Sequence, residues 1–168
     1  GIARALWINV RGGEVVAGGS TITQQVVRNL LLDPEQRAER TLRRKLRESI
    51  LALELTARMS RDDILALYLN QTYYGNMAYG VQAAARAYFG KDAADLSLAE
   101  SAMLAGLPQA PALYDPLSNP EVAKARQRIV LDLMARQGYI TQAEADRAYE
   151  EALHYAAVPY PIEAPHFV

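Results

Sequence analysis

The sequence has no cysteine and only two histidines, His154 and His166, both near its C-terminal end. Disulfides and thiol chemistry are therefore excluded, and cysteine usage says nothing about redox compartment. With no histidine before residue 154, histidine-based catalysis and most zinc sites are excluded from the bulk of the chain. No sign of charge dominates: eighteen Lys and Arg stand against nineteen Asp and Glu. That balance gives no global attraction to nucleic acid, and no nucleic-acid partner is expected. No apolar run reaches the roughly 18 residues a membrane-spanning helix needs, and no signal peptide is recognisable. Alternating strand patterns of useful length are missing as well. What remains is a chain of 168 residues, about half apolar, long enough to bury a real core.

Local charge is more informative than the total. Arg28, Arg37, Arg40, Arg43, Arg44, Lys45 and Arg47 crowd a short stretch, opposed by Asp33, Glu35, Glu39 and Glu48. Fifteen arginines to three lysines favour the planar fork that suits phosphate oxygens. Just upstream lies Gly-Gly-Ser-Thr-Ile-Thr-Gln-Gln over 18–25. Thr21 with Gln24 matches a capping box, so Ser20 or Thr21 is expected to cap a helix running to about Leu32. Free N–H groups at a helix start suit an anion, although most such starts are simply caps.

The next helix is expected over about 37–58 and is read as the central, buried one. At 100° per residue, Leu42, Leu46, Ile50, Leu53 and Ala57 form one stripe, and Arg44, Glu48, Leu51 and Leu55 a second. Only the sector holding Arg43, Arg47, Glu54 and Arg58 is plainly solvated. Arg44 and Glu48 should then stand at the rim of a buried groove. A simple i,i+4 ion pair is the plainer reading of the two. Further helices follow Ser60, a tyrosine- and glycine-bearing loop at 70–80, Ser97, Asn119 and Thr141, with Gly90 and Gly138 as helix ends. The five tyrosines between Tyr68 and Tyr88 could line a sugar groove or form core edges. Residues 1–17, which include Trp7, read either as an ordinary edge segment or as a lip at a membrane surface. The fold class is all-α with short loops.

Several ordered motifs together resemble the peptidoglycan glycosyltransferase domain of family 51, found in bifunctional class A penicillin-binding proteins. They are Gly-Gly-Ser-Thr-Ile-Thr-Gln-Gln at 18–25, Arg-Lys-Leu-Arg-Glu at 44–48, Ile-Leu-Ala-Leu-Tyr-Leu-Asn at 64–70 with Gly75, Arg-Ala-Tyr-Phe-Gly at 86–90, and Ala-Gly-Leu-Pro-Gln-Ala-Pro at 105–111. The resemblance implies a helical, lysozyme-like fold over 1–158, followed from residue 159 by the start of a linker to a transpeptidase domain. It implies polymerisation of lipid II into glycan strands, with inversion at the anomeric carbon and release of undecaprenyl pyrophosphate. The implied location is the outer face of the bacterial cytoplasmic membrane. Implied partners are lipid II, the growing strand, the membrane surface via residues 1–17, and other cell-wall synthesis proteins.

Carried over by position, Glu48 is a catalytic carboxylate, orienting or stabilising charge. Ser20, Thr21, Gln25, Arg28 and Asn29 belong to the donor-side phosphate and sugar region, and Arg44 and Lys45 to the pyrophosphate. Asn70, Gly75 and Arg86 are structural motif positions. No metal ligands belong to the chain; a divalent cation, magnesium or manganese, would act with the substrate pyrophosphate. Arg28 stands where the family commonly has lysine, which exchanges a point charge for a fork. The family's first motif, a Glu-Asp pair supplying the general base, would precede Gly1, so this stretch alone is expected to be inactive. A lysozyme-like lytic enzyme and a non-catalytic helical binding module are the alternatives.

Overall fold

The computed structural model describes residues 20–33, 35–36 and 41–156. Expectations for residues 1–17, for 37–40 and for the linker over 159–168 lie outside the described residues. The chain divides into two compact units, the first ending at Gln71 and the second beginning at Thr72. Among the described residues there are seven α-helices, two short 3₁₀ segments and no named strand, so the all-α expectation holds.

The first unit holds α1 (Ile22–Leu31), α2 (Leu42–Arg58) and α3 (Arg61–Gln71). Helix α1 begins where the sequence predicts. Thr21 Oγ1 accepts from the Gln24 N–H, and the Gln24 side chain accepts from the Thr21 N–H, which closes a full capping box. Thr41 caps α2 by accepting from the Arg44 N–H. Helix α1 packs against both α2 and α3 and buries Gln24, Val26 and Val27, with Leu32 buried just beyond its end.

This corrects the expectation of a central, buried helix over 37–58. Within α2 only Glu48 and Ala52 are buried, while Leu42, Leu46, Ile50 and Leu53 are 62–83% exposed. The reason lies in what meets α1. The α2 face turned toward α1 carries the polar set Lys45, Glu48 and Ser49: Lys45 and Ser49 bond to Ser20 and Gln24 at the start of α1, and Glu48 pairs with Lys45. Turning that face inward rotates the leucine stripe out. The central element of the first unit is α1.

In the second unit a hairpin-like loop at 72–80 leads into α4 (Val81–Phe89), which stops at Gly90 in the left-handed conformation. Helices α5 (Leu98–Gly106), α6 (Pro120–Arg136) and α7 (Gln142–Glu150) follow, with 3₁₀ segments at Ala93–Asp95 and Leu107–Gln109. Ser97 and Thr141 close capping boxes with Glu100 and Glu144, as their spacing predicts. Helix α5 is the hub. Its Met103 and Leu104 join Tyr74, Tyr88 and Phe89 in one apolar cluster, and its Ala99 and Ala102 join Leu131, Ala145 and Ala148 in another. Gly106 lets α6 approach closely, since a Cβ there would lie 2.9 Å from Arg126 Cγ.

Candidate active site

The candidate site is built where α2 crosses the start of α1. Glu48 is completely buried. One carboxylate oxygen, Oε2, accepts from Lys45 Nζ at 3.1 Å, and the other, Oε1, lies 3.4 Å from Arg44 Nε. The second is an ion-pair contact without hydrogen-bond geometry, so Oε1 accepts no hydrogen bond from the described residues. A buried carboxylate is tolerable only when its charge is matched, and here two cations match one anion. The excess positive charge is partly open to solvent: the side chains of Arg44 and Lys45 are 17% and 35% exposed.

Lys45 is the junction. Its ammonium donates to Glu48, to Ser20 Oγ and, at 3.4 Å, to Gln24 Oε1. Gln24 in turn donates to Ser49 Oγ at 3.2 Å, and Ser49 donates to the Lys45 carbonyl at 2.9 Å. Of the residues predicted from sequence, Ser20, Arg44, Lys45 and Glu48 therefore come together. Thr21 sits beside them, and its oxygen is engaged in the helix cap. Gln25 and Arg28 are half-buried and Asn29 is exposed on α1. No hydrogen bond or ion pair among the described residues joins these three to Glu48.

Gln24 and Ser49 were missed as site residues. Gln24 is visible as the residue three beyond the cap in a capping box, but its second role depends on α2 lying across it. Ser49 carries no motif signal of its own.

Arg44 also lines a groove of about 560 Å³, whose walls include Leu32, Arg43, Leu46, Arg47 and Ile50. Its lining mixes the three arginines Arg43, Arg44 and Arg47 with leucine and isoleucine side chains. That pairing suits an amphiphile with an anionic head.

The structural motif positions lie apart from this cluster in the chain. Asn70 is exposed in the last turn of α3. Gly75, in the second unit, adopts φ +88°, and a Cβ there would meet the Tyr88 hydroxyl oxygen at 2.8 Å. Arg86 pairs with Asp92 at 2.9 Å. The Arg86 guanidinium and the Gln82 amide hold the Asp92 carboxyl below its ordinary range. Among the described residues no cluster of three or more His, Asp or Glu could hold a metal ion. A lone carboxylate already neutralised by two cations does not suit one either.

A transglycosylase family model matches residues 1–135. The chain belongs to the transglycosylase family. Over 155 residues it is 50% identical to penicillin-binding protein 1A of Neisseria flavescens, covering 92% of this chain and 19% of that protein. It is 49% identical over 153 residues to penicillin-binding protein 1A of Aquifex aeolicus, covering 91% and 20%. The crystal structure of penicillin-binding protein 1A from Haemophilus influenzae is similar to it with a TM-score of 0.52. That alignment has 30% identity and covers 80% of this chain and 16% of that one. The chain thus spans about a fifth of the length of the curated relatives it matches. The all-α fold is the lysozyme-like one of the transglycosylases. Among the described residues no helix is long and apolar enough to cross a membrane.

Proposed function

We propose that this chain is the peptidoglycan glycosyltransferase module of a class A penicillin-binding protein, polymerising lipid II into glycan strands. The observation that carries the reading is the double position of Arg44. It pairs with buried Glu48 and also lines a groove whose residues are both cationic and apolar. A lipid-linked pyrophosphate has the matching parts, a polyanionic head and a hydrocarbon tail.

In the reaction the acceptor's 4-hydroxyl oxygen bonds to the donor's anomeric carbon as the bond from that carbon to pyrophosphate breaks, and the hydroxyl proton passes to the carboxylate general base that the family's first motif supplies. The electron pair leaves on undecaprenyl pyrophosphate, and the configuration inverts. Charge grows on the departing phosphate oxygens, and cations fixed beforehand at that position lower the barrier. Arg44 and Lys45 are those cations on this reading. Glu48 is a positioning residue: it holds both by their nitrogens, while Ser20 and Gln24 fix the Lys45 ammonium from the far side. Arg28 adds charge further along α1. Any divalent cation would enter with the substrate and act through its pyrophosphate. The chain works at the outer face of the bacterial cytoplasmic membrane, with lipid II and the growing strand as partners.

The test is polymerisation of labelled lipid II by the full-length protein and its Lys45→Met variant. The expected result is strand formation by the parent and a fall of about 10²-fold or more in the variant. Cleavage of finished strands with lipid II left intact would replace this reading with a lytic one.

A further inference from the structure

The loop at 72–80 in the second unit shows two tyrosine rings and a methionine to solvent from a tightly held backbone. Tyr73 and Tyr79 face each other as an antiparallel bridge, their ring centroids 4.8 Å apart and their planes tilted by 40°. They are 42% and 68% exposed, and Met77 between them is 71% exposed. Their neighbours Tyr74 and Ala78 are buried. The turn is braced by the Tyr74 N–H to the Ala78 carbonyl at 2.9 Å, the Ala78 N–H to the Gly75 carbonyl at 2.8 Å, and the Gly80 N–H to the Thr72 carbonyl at 2.9 Å. From below, the buried Tyr88 hydroxyl donates to the Tyr74 carbonyl at 2.9 Å. Asn76 and Met77 adopt φ of +46° and +57°, a region that costs a residue with a Cβ energy. A strained, braced turn that displays apolar side chains instead of hiding them calls for a ligand.

We propose that Tyr73, Met77 and Tyr79 form a stacking platform for a neutral N-acetylhexosamine ring of a glycan strand, an inference that rests on the glycosyltransferase reading above. A pyranose has an apolar C–H face and a hydroxyl rim, which match the tyrosine ring faces and the phenol hydroxyls at their edges. The Met77 thioether adapts to an acetamido methyl group. Residues 72–80 contain no Lys or Arg, and Arg86 in the following helix is paired with Asp92. The patch therefore lacks the cations that seat an amphipathic surface on anionic lipid.

The experiment is saturation-transfer NMR with the full-length protein and the tetramer of N-acetylglucosamine. A parallel arm measures sedimentation with phosphatidylglycerol–phosphatidylethanolamine vesicles. Expected is weak tetramer binding that falls about fivefold to tenfold in Tyr79→Ala and stays within about twofold in Tyr79→Trp. Vesicle association should be the same in all three. Parent-like tetramer affinity in Tyr79→Ala, at unchanged melting temperature, overturns the platform. So does a loss confined to vesicle binding, which would make the patch a membrane contact. Failure of the parent to polymerise lipid II would instead overturn the glycosyltransferase reading, and the tetramer measurement does not depend on it.

Discussion

Replacing Glu48 by glutamine separates a structural ion pair from one that serves the reaction. The substitution keeps the side chain's size and an acceptor for Lys45 Nζ, now 3.1 Å from a carboxylate oxygen, but removes the charge. Breaking one side of a fully buried ion pair costs about 3–5 kcal/mol. The cations here are 17% and 35% exposed, so both keep part of their hydration once the carboxylate is neutral. Lys45 also retains Ser20 and Gln24. The cost should therefore fall to about 1–3 kcal/mol, which lowers the melting temperature by roughly 2–4 °C per kcal/mol for a chain of this size. Polymerisation should fall much further, by about 10²- to 10³-fold, because cations that are no longer pinned must be ordered as the pyrophosphate leaves. The assays are thermal unfolding by circular dichroism and initial rates with labelled lipid II. A variant that loses stability yet polymerises within about threefold of the parent would reduce Glu48 to a structural partner. A cycle with Lys45→Met closes the test: the double variant should be no slower than the slower single one, as expected of groups acting as a unit.

Thr21→Ala should cost about 1 kcal/mol through loss of the α1 cap, measured by chemical unfolding, and Thr21→Ser should restore it. Gly75→Ala should destabilise the second unit by about 2 kcal/mol or more, because φ is +88° and the new Cβ would lie 2.8 Å from the Tyr88 oxygen. Tyr88→Phe relieves that clash while removing the bond to Tyr74, so Gly75→Ala should cost less in its background. At Glu100, burial raises the carboxyl pKa, but the Lys91 ammonium and the Ser97 N–H outweigh it and hold the group below its ordinary value. A folded pKa below the unfolded one means the contribution is present above the unfolded pKa and is lost as pH falls through the folded one. Glu100→Gln should therefore flatten the acid side of the stability profile, read as the denaturation midpoint against pH.

Elements with their own local signal were legible in the sequence. Thr21, Ser97 and Thr141 each announce a helix start through an oxygen and a Gln or Glu three residues on, and each pair forms as read. Gly90 ends α4 with a positive φ for the same local reason. The Arg44–Glu48 pairing was legible because i,i+4 spacing places both on one side of any helix. Gln24 and Ser49 meet across 25 residues of sequence, and no local rule reports that contact.

The misreading of α2 shows where periodicity stops. A stripe at Leu42, Leu46, Ile50 and Leu53 tells that a helix has an apolar side, but not which side its nearest neighbour takes. In the first unit the neighbour is α1, at whose start Ser20 and buried Gln24 present polar atoms at the crossing. A polar crossing must be answered by polar groups, since an unmatched buried donor or acceptor costs more than an exposed leucine gives up. Lys45 and Ser49 supply that answer, Glu48 pairs with Lys45 beside them, and the leucines are carried outward. The same orientation puts Arg43, Arg44, Leu46, Arg47 and Ile50 along one groove. An inward carboxylate and an outward amphiphilic groove are thus two consequences of one helix orientation. Substituting Glu48 should disturb both.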